Sequence, residues 1–333
     1  MGGESSQVLK VKGIALFSGG LDSILAVKVI QQQGIDVMGV TYETPFFSSR
    51  NAKIAAEKIS LPLSTMDITG VYLEMLKAPR YGYGKNMNPC IDCHTMMLTF
   101  TGKIMEESGA DFIFTGEVLG QRPMSQNRQS LHIVAKNSGY HEYILRPLSA
   151  RLLPETKPEI EGKVDRQQLL ALRGKGRKGQ IELARYYGIS SYTAPAGGCL
   201  LTDPGFSKRL RDLFTHAKNF SIRDIELLKY GRHFRIDENT KIIVGRNSTD
   251  NRALMNLAHD KDSVIHIPQI PGPITLIPNS CDDSTLDYGA SLCALYSDAP
   301  KDREVDAICR TGNTIRHIRI KPFRKEDAEN RML

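Results

Sequence analysis

The sequence predicts an α/β domain built on a parallel sheet, followed by a smaller α+β domain. Three observations carry this. Up to about residue 150, short apolar runs alternate with segments of helical spacing, the β-α-β-α-β pattern of a parallel sheet covered on both faces. The first strand-to-helix junction is the string Ser18-Gly19-Gly20-Leu21-Asp22-Ser23, a glycine-rich turn of the sort found at the carboxyl edge of such sheets. After residue 204 the pattern changes to several short strand-like segments around two or three helices. The expected domains are therefore residues 1–204 and 205–333.

Val11 to Phe17 is the first strand, and Ile24 to Ile30, apolar on more than one face, is a buried helix. The two glycines between them let backbone approach an anion, and the free N–H groups of the helix start point at it. Ser18 and Ser23 add hydroxyl donors. Asp22 would repel a phosphate unless a cation sits between them, so it implies Mg2+. Asp36 to Tyr42 is the second strand, Asn51 to Ile59 a helix and Leu63 to Ile68 a third strand. Pro79 to Pro89 (PRYGYGKNMNP) is a loop that delivers Cys90-Ile91-Asp92-Cys93-His94 to the start of a helix over Thr95 to Ser108. A C-x-x-C pair at a helix start favours thiolates, suited to a metal, a cluster or a redox reaction. Asp111 to Thr115 is the fourth strand, and the following Gly116-Glu117-Val118-Leu119-Gly120-Gln121 shares the sheet edge of Ser18–Ser23.

Between Leu153 and Gln180 lies a polar stretch with Arg173, Lys175, Arg177 and Lys178 spaced by glycines. It reads as a flexible cationic loop able to bind a phosphate backbone without reading sequence. Ala194-Pro195-Ala196-Gly197-Gly198 then presents Cys199 from a turn. Cys90, Cys93 and Cys199 form one expected constellation. Cys281, Cys293 and Cys309 lie beyond the first domain, without ligand spacing, and read as small buried hydrophobes. In the second domain Phe206 to Phe214 is a basic helix. Strands are expected over 231–236, 241–244, 263–267 and 274–277, helices over 250–259 and 287–297, and a terminal hairpin over 304–310 and 314–323. In that hairpin Ile315, Ile318 and Ile320 are assigned to the core face.

The 333 residues suffice for two cores, and hydrophobic and charged fractions of 41% and 24% are ordinary for a globular protein. No apolar run approaches the roughly 20 residues of a membrane span. With no basic-then-apolar leader and no disulfide framework, a cytoplasmic location is expected. A net charge of +7 is compatible with a polyanionic partner.

These motifs support a family resemblance. SGGLDS resembles the PP-loop of the ATP pyrophosphatases, whose Rossmann-like fold (that of the adenine nucleotide alpha hydrolases) cuts ATP to AMP and pyrophosphate. The resemblance implies that ATP is held by Ser18, Gly19, Gly20, Asp22 and Ser23, with Val40, Thr41 and Tyr42 near adenine. Thr115 to Gln126 (TGEVLGQRPMSQ), Tyr143 to Leu148 (YILRPL) and Ile181 to Ile189 (IELARYYGI) resemble, in the same order, segments of the tRNA 4-thiouridine synthase family (ThiI). They add Gly116 and Gln121 to the implied nucleotide site. The run NPCIDC is similar to the cysteine segment of the 2-thiouridine synthase family (MnmA). Both families carry a cysteine where Cys199 stands. What this implies is an ATP-dependent tRNA sulfurtransferase, with Asp22, Cys93 and Cys199 catalytic and either cysteine desulfurase or free sulfide as sulfur donor.

Three roles remain open for the thiols. Cys90, Cys93 and Cys199 can hold a 4Fe–4S cluster with one iron open. Cys199 can carry a persulfide that Cys93 resolves. Or the thiols can bind zinc with His94 as a fourth ligand. Lys241 to Asn251 and Asp262 to Pro273 resemble the NFACT-R RNA-binding domain, which implies RNA contacts at Arg246, Asn247, Asn251 and His266. Two other readings stand beside this one: a PP-loop enzyme acting on a small molecule, and a non-enzymatic RNA-binding protein with a degenerate nucleotide site.

Overall fold

The computed structural model describes residues 10–192, 198–279 and 281–333, and the chain divides into two compact units, residues 1–200 and 201–333. In the first unit five strands, β1 (Lys12–Leu16), β2 (Asp36–Glu43), β3 (Leu63–Asp67), β4 (Phe112–Thr115) and β5 (Ile144–Leu145), form one sheet in the order β3-β2-β1-β4-β5. Every pairing is parallel. The chain builds outward from β1 to β3, then returns to β1's other side with β4. The strand order therefore reverses between β1 and β4, and their carboxyl ends open the crevice where ligands bind in such sheets.

Among the described residues, seven α-helices connect or flank these strands: α1 (Leu21–Gln31), α2 (Arg50–Lys58), α3 (Thr69–Lys77), α4 (Cys90–Ser108), α5 (Arg128–Ser138), α6 (Lys157–Ile160) and α7 (Lys178–Tyr186). Helix α1 is buried nearly all round, with Leu21, Ile24, Leu25, Val27, Val29 and Ile30 in the core beside Phe17, Phe112 and Phe114. Each such side chain contributes about 1.5–3 kcal/mol when taken from water. The end of β1 and the start of α1 are thereby fixed, and so is the turn between them.

Some boundaries differ from expectation. Helix α3 has no counterpart in the sequence reading. Helix α4 begins at Cys90, not Thr95; Pro89 stands before it as N-cap, so the C-x-x-C pair forms its first turn. Helix α7 begins at Lys178, with Arg177 as its N-cap residue, which makes the basic stretch partly helical.

The second unit holds α8 (Pro204–His216), α9 (Ile222–Leu227), α10 (Ser248–Leu257), α11 (Asp283–Leu295) and α12 (Lys325–Glu329). Its strands are β6 (Arg232–Arg235), β7 (Lys241–Val244), β8 (Ser263–His266), β9 (Thr275–Ile277), β10 (Val305–Thr311) and β11 (Thr314–Ile320). They form an antiparallel sheet in the order β11-β10-β8-β9-β7-β6, with α11 packed on it. Ile315 departs from expectation. It is 61% exposed, whereas Ile318 and Ile320 pack against the core. Strand side chains alternate faces, so residues 315 and 318 cannot share one. Cys293 and Cys309 are buried and Cys281 is half-buried.

Candidate active site

The turn after β1 has the geometry of an anion cradle. Gly19 has φ +73°, and a Cβ there would stand 2.4 Å from the Asn51 carbonyl oxygen, so only glycine fits. Gly20 is the N-cap of α1 and no side chain caps that helix start. Its first-turn N–H groups therefore lack the usual intrahelical partners. The Ser23 hydroxyl donates to the Gly20 carbonyl at 2.8 Å, closing the turn, and the Ser18 hydroxyl lies 3.4 Å from that of Ser23.

The loop after β4 presses directly on this turn. A Cβ on Gly116 would lie 2.5 Å from the Ser23 nitrogen and 2.6 Å from the Asp22 carbonyl carbon. Gln121 donates from Nε2 to Asp22 Oδ2 at 2.7 Å, and Gln180 of α7 donates to Gln121 Oε1 at 2.9 Å. The other Asp22 oxygen, Oδ1, is buried without a hydrogen-bond partner. Across from it, at 4.0 Å, stands an Arg177 guanidinium nitrogen, and Arg177 Nε is likewise buried and unpartnered. A buried carboxylate oxygen and a buried guanidinium N–H, both unsatisfied, are costly unless a ligand completes them. A divalent cation suits the first and a phosphate oxygen the second.

Arg177 was expected on an RNA-binding loop, and its neighbourhood at Asp22 is not legible from the sequence. The backbone explains it: Arg173 bridges to Leu119 in parallel, and the Gly174 N–H donates to the Leu119 carbonyl at 2.8 Å. The basic segment is thus tied to the loop after β4. Lys175 and Lys178 lie on the same segment. Thr41 and Tyr42 are buried at the end of β2, and the Tyr42 hydroxyl bonds Thr101 of α4 at 3.0 Å. Burial raises the Tyr42 pKa to about 12, so the phenol stays neutral.

The cysteines reach the same edge through Glu117. This buried carboxylate accepts from Arg146 Nε at 3.0 Å and from Thr115 at 3.1 Å, and it bonds His94 Nδ1 at 3.0 Å. Burial works to raise its pKa, but the Arg146 guanidinium and His94 override that and hold it at about 2. His94 directly follows Cys93, so the first turn of α4 is pinned beside the loop that touches Asp22. Its Nδ1 is committed to Glu117 rather than to the thiols.

Cys93 is hydrogen-bonded to Tyr72 of α3, whose ring contacts those of Phe46 and Phe47, with centroids 5.8 and 5.4 Å away. The N–H of Leu200 donates to the Phe46 carbonyl at 2.9 Å, which brings Cys199 to the same place. Burial, with Cys199 and Cys90 as like-charged neighbours, pushes the Cys93 thiol well above its usual range, against the hydrogen bond from Tyr72. Cys199 and Cys90 are thus both neighbours of Cys93, whose thiol ionises readily only beside a cation. Among the described residues, no group of three or more His, Cys, Asp or Glu side chains stands in metal-holding geometry. The turn residues 194–197 that precede Cys199 lie outside the described residues.

In the second unit the expected RNA contacts are engaged in the fold. Asn247 caps α10 by accepting from the Asp250 N–H at 2.9 Å. Arg246 Nε donates to Asp250 at 2.6 Å, and its guanidinium is 43% exposed. Asn251 bonds the Gly272 carbonyl and the Ile274 N–H, holding the following loop. His266 ends β8.

Residues 9–152 match the family model described as thiamine biosynthesis protein (ThiI), and residues 231–332 match that of the NFACT protein RNA binding domain. The chain carries a ThiI domain and an NFACT-R domain. The ThiI domain spans the turns at 18–23 and 116–121 and the C-x-x-C turn, and its parallel sheet is the PP-loop fold. The chain is 26% identical over 190 residues to the tRNA-specific 2-thiouridylase MnmA of Flavobacterium johnsoniae, covering 49% of this chain and 48% of that protein. It is 30% identical over 141 residues to a probable tRNA sulfurtransferase of Caldanaerobacter subterraneus subsp. tengcongensis, covering 41% and 36%. The chain thus spans about half or less of these relatives. A solved 4-thiouridine synthetase–RNA complex with bound ATP aligns over 66% of this chain and 52% of that one, at 22% identity and TM-score 0.35. Among the described residues no helix is long and apolar enough to cross a membrane.

Proposed function

We propose that the protein is an ATP-dependent tRNA sulfurtransferase. The single observation that carries the reading is the continuous chain of contacts Asp22–Gly116–Glu117–His94–Cys93. It joins an anion cradle with an unsatisfied carboxylate oxygen to a cluster of thiols at one sheet edge. An enzyme that only split ATP would have no use for the thiols, and one that only moved sulfur would have no use for the cradle. The ThiI domain supports the ATP step, and the NFACT-R domain supports an RNA substrate.

In this reading a base carbonyl oxygen attacks the α-phosphorus of ATP. The Pα–O bond to the β-phosphate breaks, and pyrophosphate leaves into the N–H groups of Gly19, Gly20 and the first turn of α1. Asp22 would be the residue to hold Mg2+, which would supply charge neutralisation at the phosphates, and Arg177 meets the phosphate charge that develops opposite it. Sulfur then attacks the activated carbon, and AMP departs with the former carbonyl oxygen. Cys90, Cys93 and Cys199 would be the thiols to hold a 4Fe–4S cluster, which would supply iron for binding sulfide. The protein's own part is to bring the thiols together, exclude water with Tyr72, Phe46 and Phe47, and hold His94 away from them through Glu117. The persulfide route uses the same thiols: Cys199 carries the sulfur, and Cys93 releases the product by forming a disulfide with Cys199 that an external thiol must reduce. For the persulfide route the donor is a cysteine desulfurase, which hands over sulfur already at the persulfide level; free sulfide serves only the route in which sulfide itself attacks the activated carbon.

Mass spectrometry of tRNA nucleosides from cells with and without the gene tests the reading, together with ATP-to-AMP turnover by the purified protein. We expect one thiolated nucleoside to disappear and Asp22→Ala to abolish turnover. Full activity in that variant overturns the mechanism. Iron and acid-labile sulfide in anaerobically purified protein, lost in Cys90→Ser, would support the cluster; their absence with activity retained favours the persulfide.

A further inference from the structure

The loop between α3 and α4 displays two tyrosines in an unusual attitude. An ordinary surface tyrosine buries its ring and offers its hydroxyl to water. Here the hydroxyls are tethered to protein while the residues themselves stay exposed. The Tyr83 hydroxyl donates to the carbonyl of Leu76 at 2.6 Å, and that of Tyr81 accepts from Asn137 at 2.8 Å, while the two residues remain 39% and 38% exposed. The backbone beneath is held as firmly. Asp92, between the two cysteines of the C-x-x-C turn, accepts from the N–H groups of Arg80 and Tyr81 at 3.1 and 3.0 Å. The Gly84 N–H donates to the Asn88 carbonyl, Asn88 touches Cys90 Sγ at 3.2 Å, and Met87 anchors the loop in the core.

Within the loop itself the side-chain charge has one sign, and the Asp92 carboxylate beneath it is engaged by the Arg80 and Tyr81 N–H groups. The stretch 79–89 contains Arg80 and Lys85, both exposed, and no acidic residue. The Arg80 guanidinium lies over the Tyr81 ring, 5.6 Å from its centroid. Rigid exposed rings beside cations, on a loop bound to the thiol turn, are the elements of a stacking platform for single-stranded nucleic acid.

We infer that Tyr81 and Tyr83 stack on unpaired nucleotides of the RNA substrate and present the reacting base to the thiols, with Arg80 and Lys85 on the flanking phosphates. The inference rests on the function proposed above and adds to it the form of the substrate: a nucleotide extruded from, or already outside, a helix. Chemistry on a base carbonyl requires this, since a stacked and paired base hides the atom. Because the hydroxyl tethers fix the rings in advance, stacking on them costs little side-chain entropy.

The test is fluorescence anisotropy with unmodified tRNA at about 100 mM salt, using the full chain and the variants Tyr81→Leu, Tyr83→Leu and Tyr83→Phe, with ATP binding as a measure of the intact first domain. Each leucine is expected to weaken tRNA binding about 5- to 150-fold, and phenylalanine to keep it within a few-fold. The slope of log K against log salt should be unchanged in the leucine variants and smaller by about one in Arg80→Gln and in Lys85→Gln. Leucine variants that bind ATP and tRNA like wild type overturn the inference alone. Leucine variants that keep tRNA but lose sulfur uptake from a protein donor assign the loop to that donor and overturn it too. Wild-type protein that binds no tRNA overturns both this inference and the proposed function. If the leucine variants do not fold, ultraviolet cross-linking of wild-type protein to tRNA decides. Cross-links within residues 79–89 support the platform, and cross-links confined to other segments refute it.

Discussion

Replacing Glu117 with glutamine keeps the shape of its side chain and removes its charge. Glu117 is buried with Arg146, and its pKa falls from the ordinary 4.5 to about 2. Such a drop is worth about 3 kcal/mol of stability at neutral pH. An independent guide is the cost of leaving one member of a buried ion pair alone, about 3–5 kcal/mol. We therefore expect Glu117→Gln to lower the opening free energy of the first domain by about 3 kcal/mol at pH 7. Because the folded pKa is depressed, the stabilisation is fully present above pH 4.5 and is lost as pH falls from 4.5 toward 2. The gap between wild type and variant should close over that window. Amide hydrogen exchange of peptides from β1 and β4, followed by mass spectrometry at pH 7 and pH 3, measures both quantities in the full chain. A difference below about 1 kcal/mol at pH 7, or one that does not shrink at pH 3, would refute the argument that Arg146 and His94 hold this carboxylate ionised.

Three further outcomes are expected. Arg177→Ala should lower ATP-to-AMP turnover by about 10²–10³-fold, the effect of losing one donor to a developing phosphate charge, with tRNA affinity nearly unchanged; the opposite pattern would return Arg177 to an RNA-binding role. Gly116→Ala sets a Cβ against the backbone of Asp22 and Ser23 and should weaken ATP binding at least tenfold by calorimetry, whereas wild-type affinity would show that the turn yields freely. Asn247→Ala should cost about 1 kcal/mol through loss of the α10 cap. A loss of tRNA affinity in that variant without loss of stability would instead assign Asn247 to RNA contact.

What the sequence made legible was local. The turn after β1 announced itself because strand, glycine pair and helix are contiguous, and the alternation of elements implied the sheet. The G-R-N motif at 245–247 was visible for the same reason, but its local work is capping and loop closure, which composition does not separate from RNA contact. The position of Arg177 was illegible because nothing near it reports that Arg173 bridges to Leu119, more than fifty residues earlier. A run of basic residues has a charge but no address. The boundary of α4 was misread because a proline before a cysteine pair fits a loop as well as an N-cap. Ile315 was misassigned by counting apolar residues in a strand without respecting their parity. The engagement of His94 by Glu117 depends on two segments meeting at one sheet edge, and only the fold reveals it.

The amides of Gln180, Gln121 and the carboxylate of Asp22 form a line in which every donor points the same way, toward the charge. Such an arrangement has a direction, like iron filings aligned to a pole, and each bond polarises the next. Gln180 is the third residue of α7 and Arg177 is that helix's N-cap, so one short segment carries both the far end of this line and the guanidinium that faces Asp22 Oδ1. A change at either end of the line is therefore a change in what Asp22 and Arg177 can hold between them.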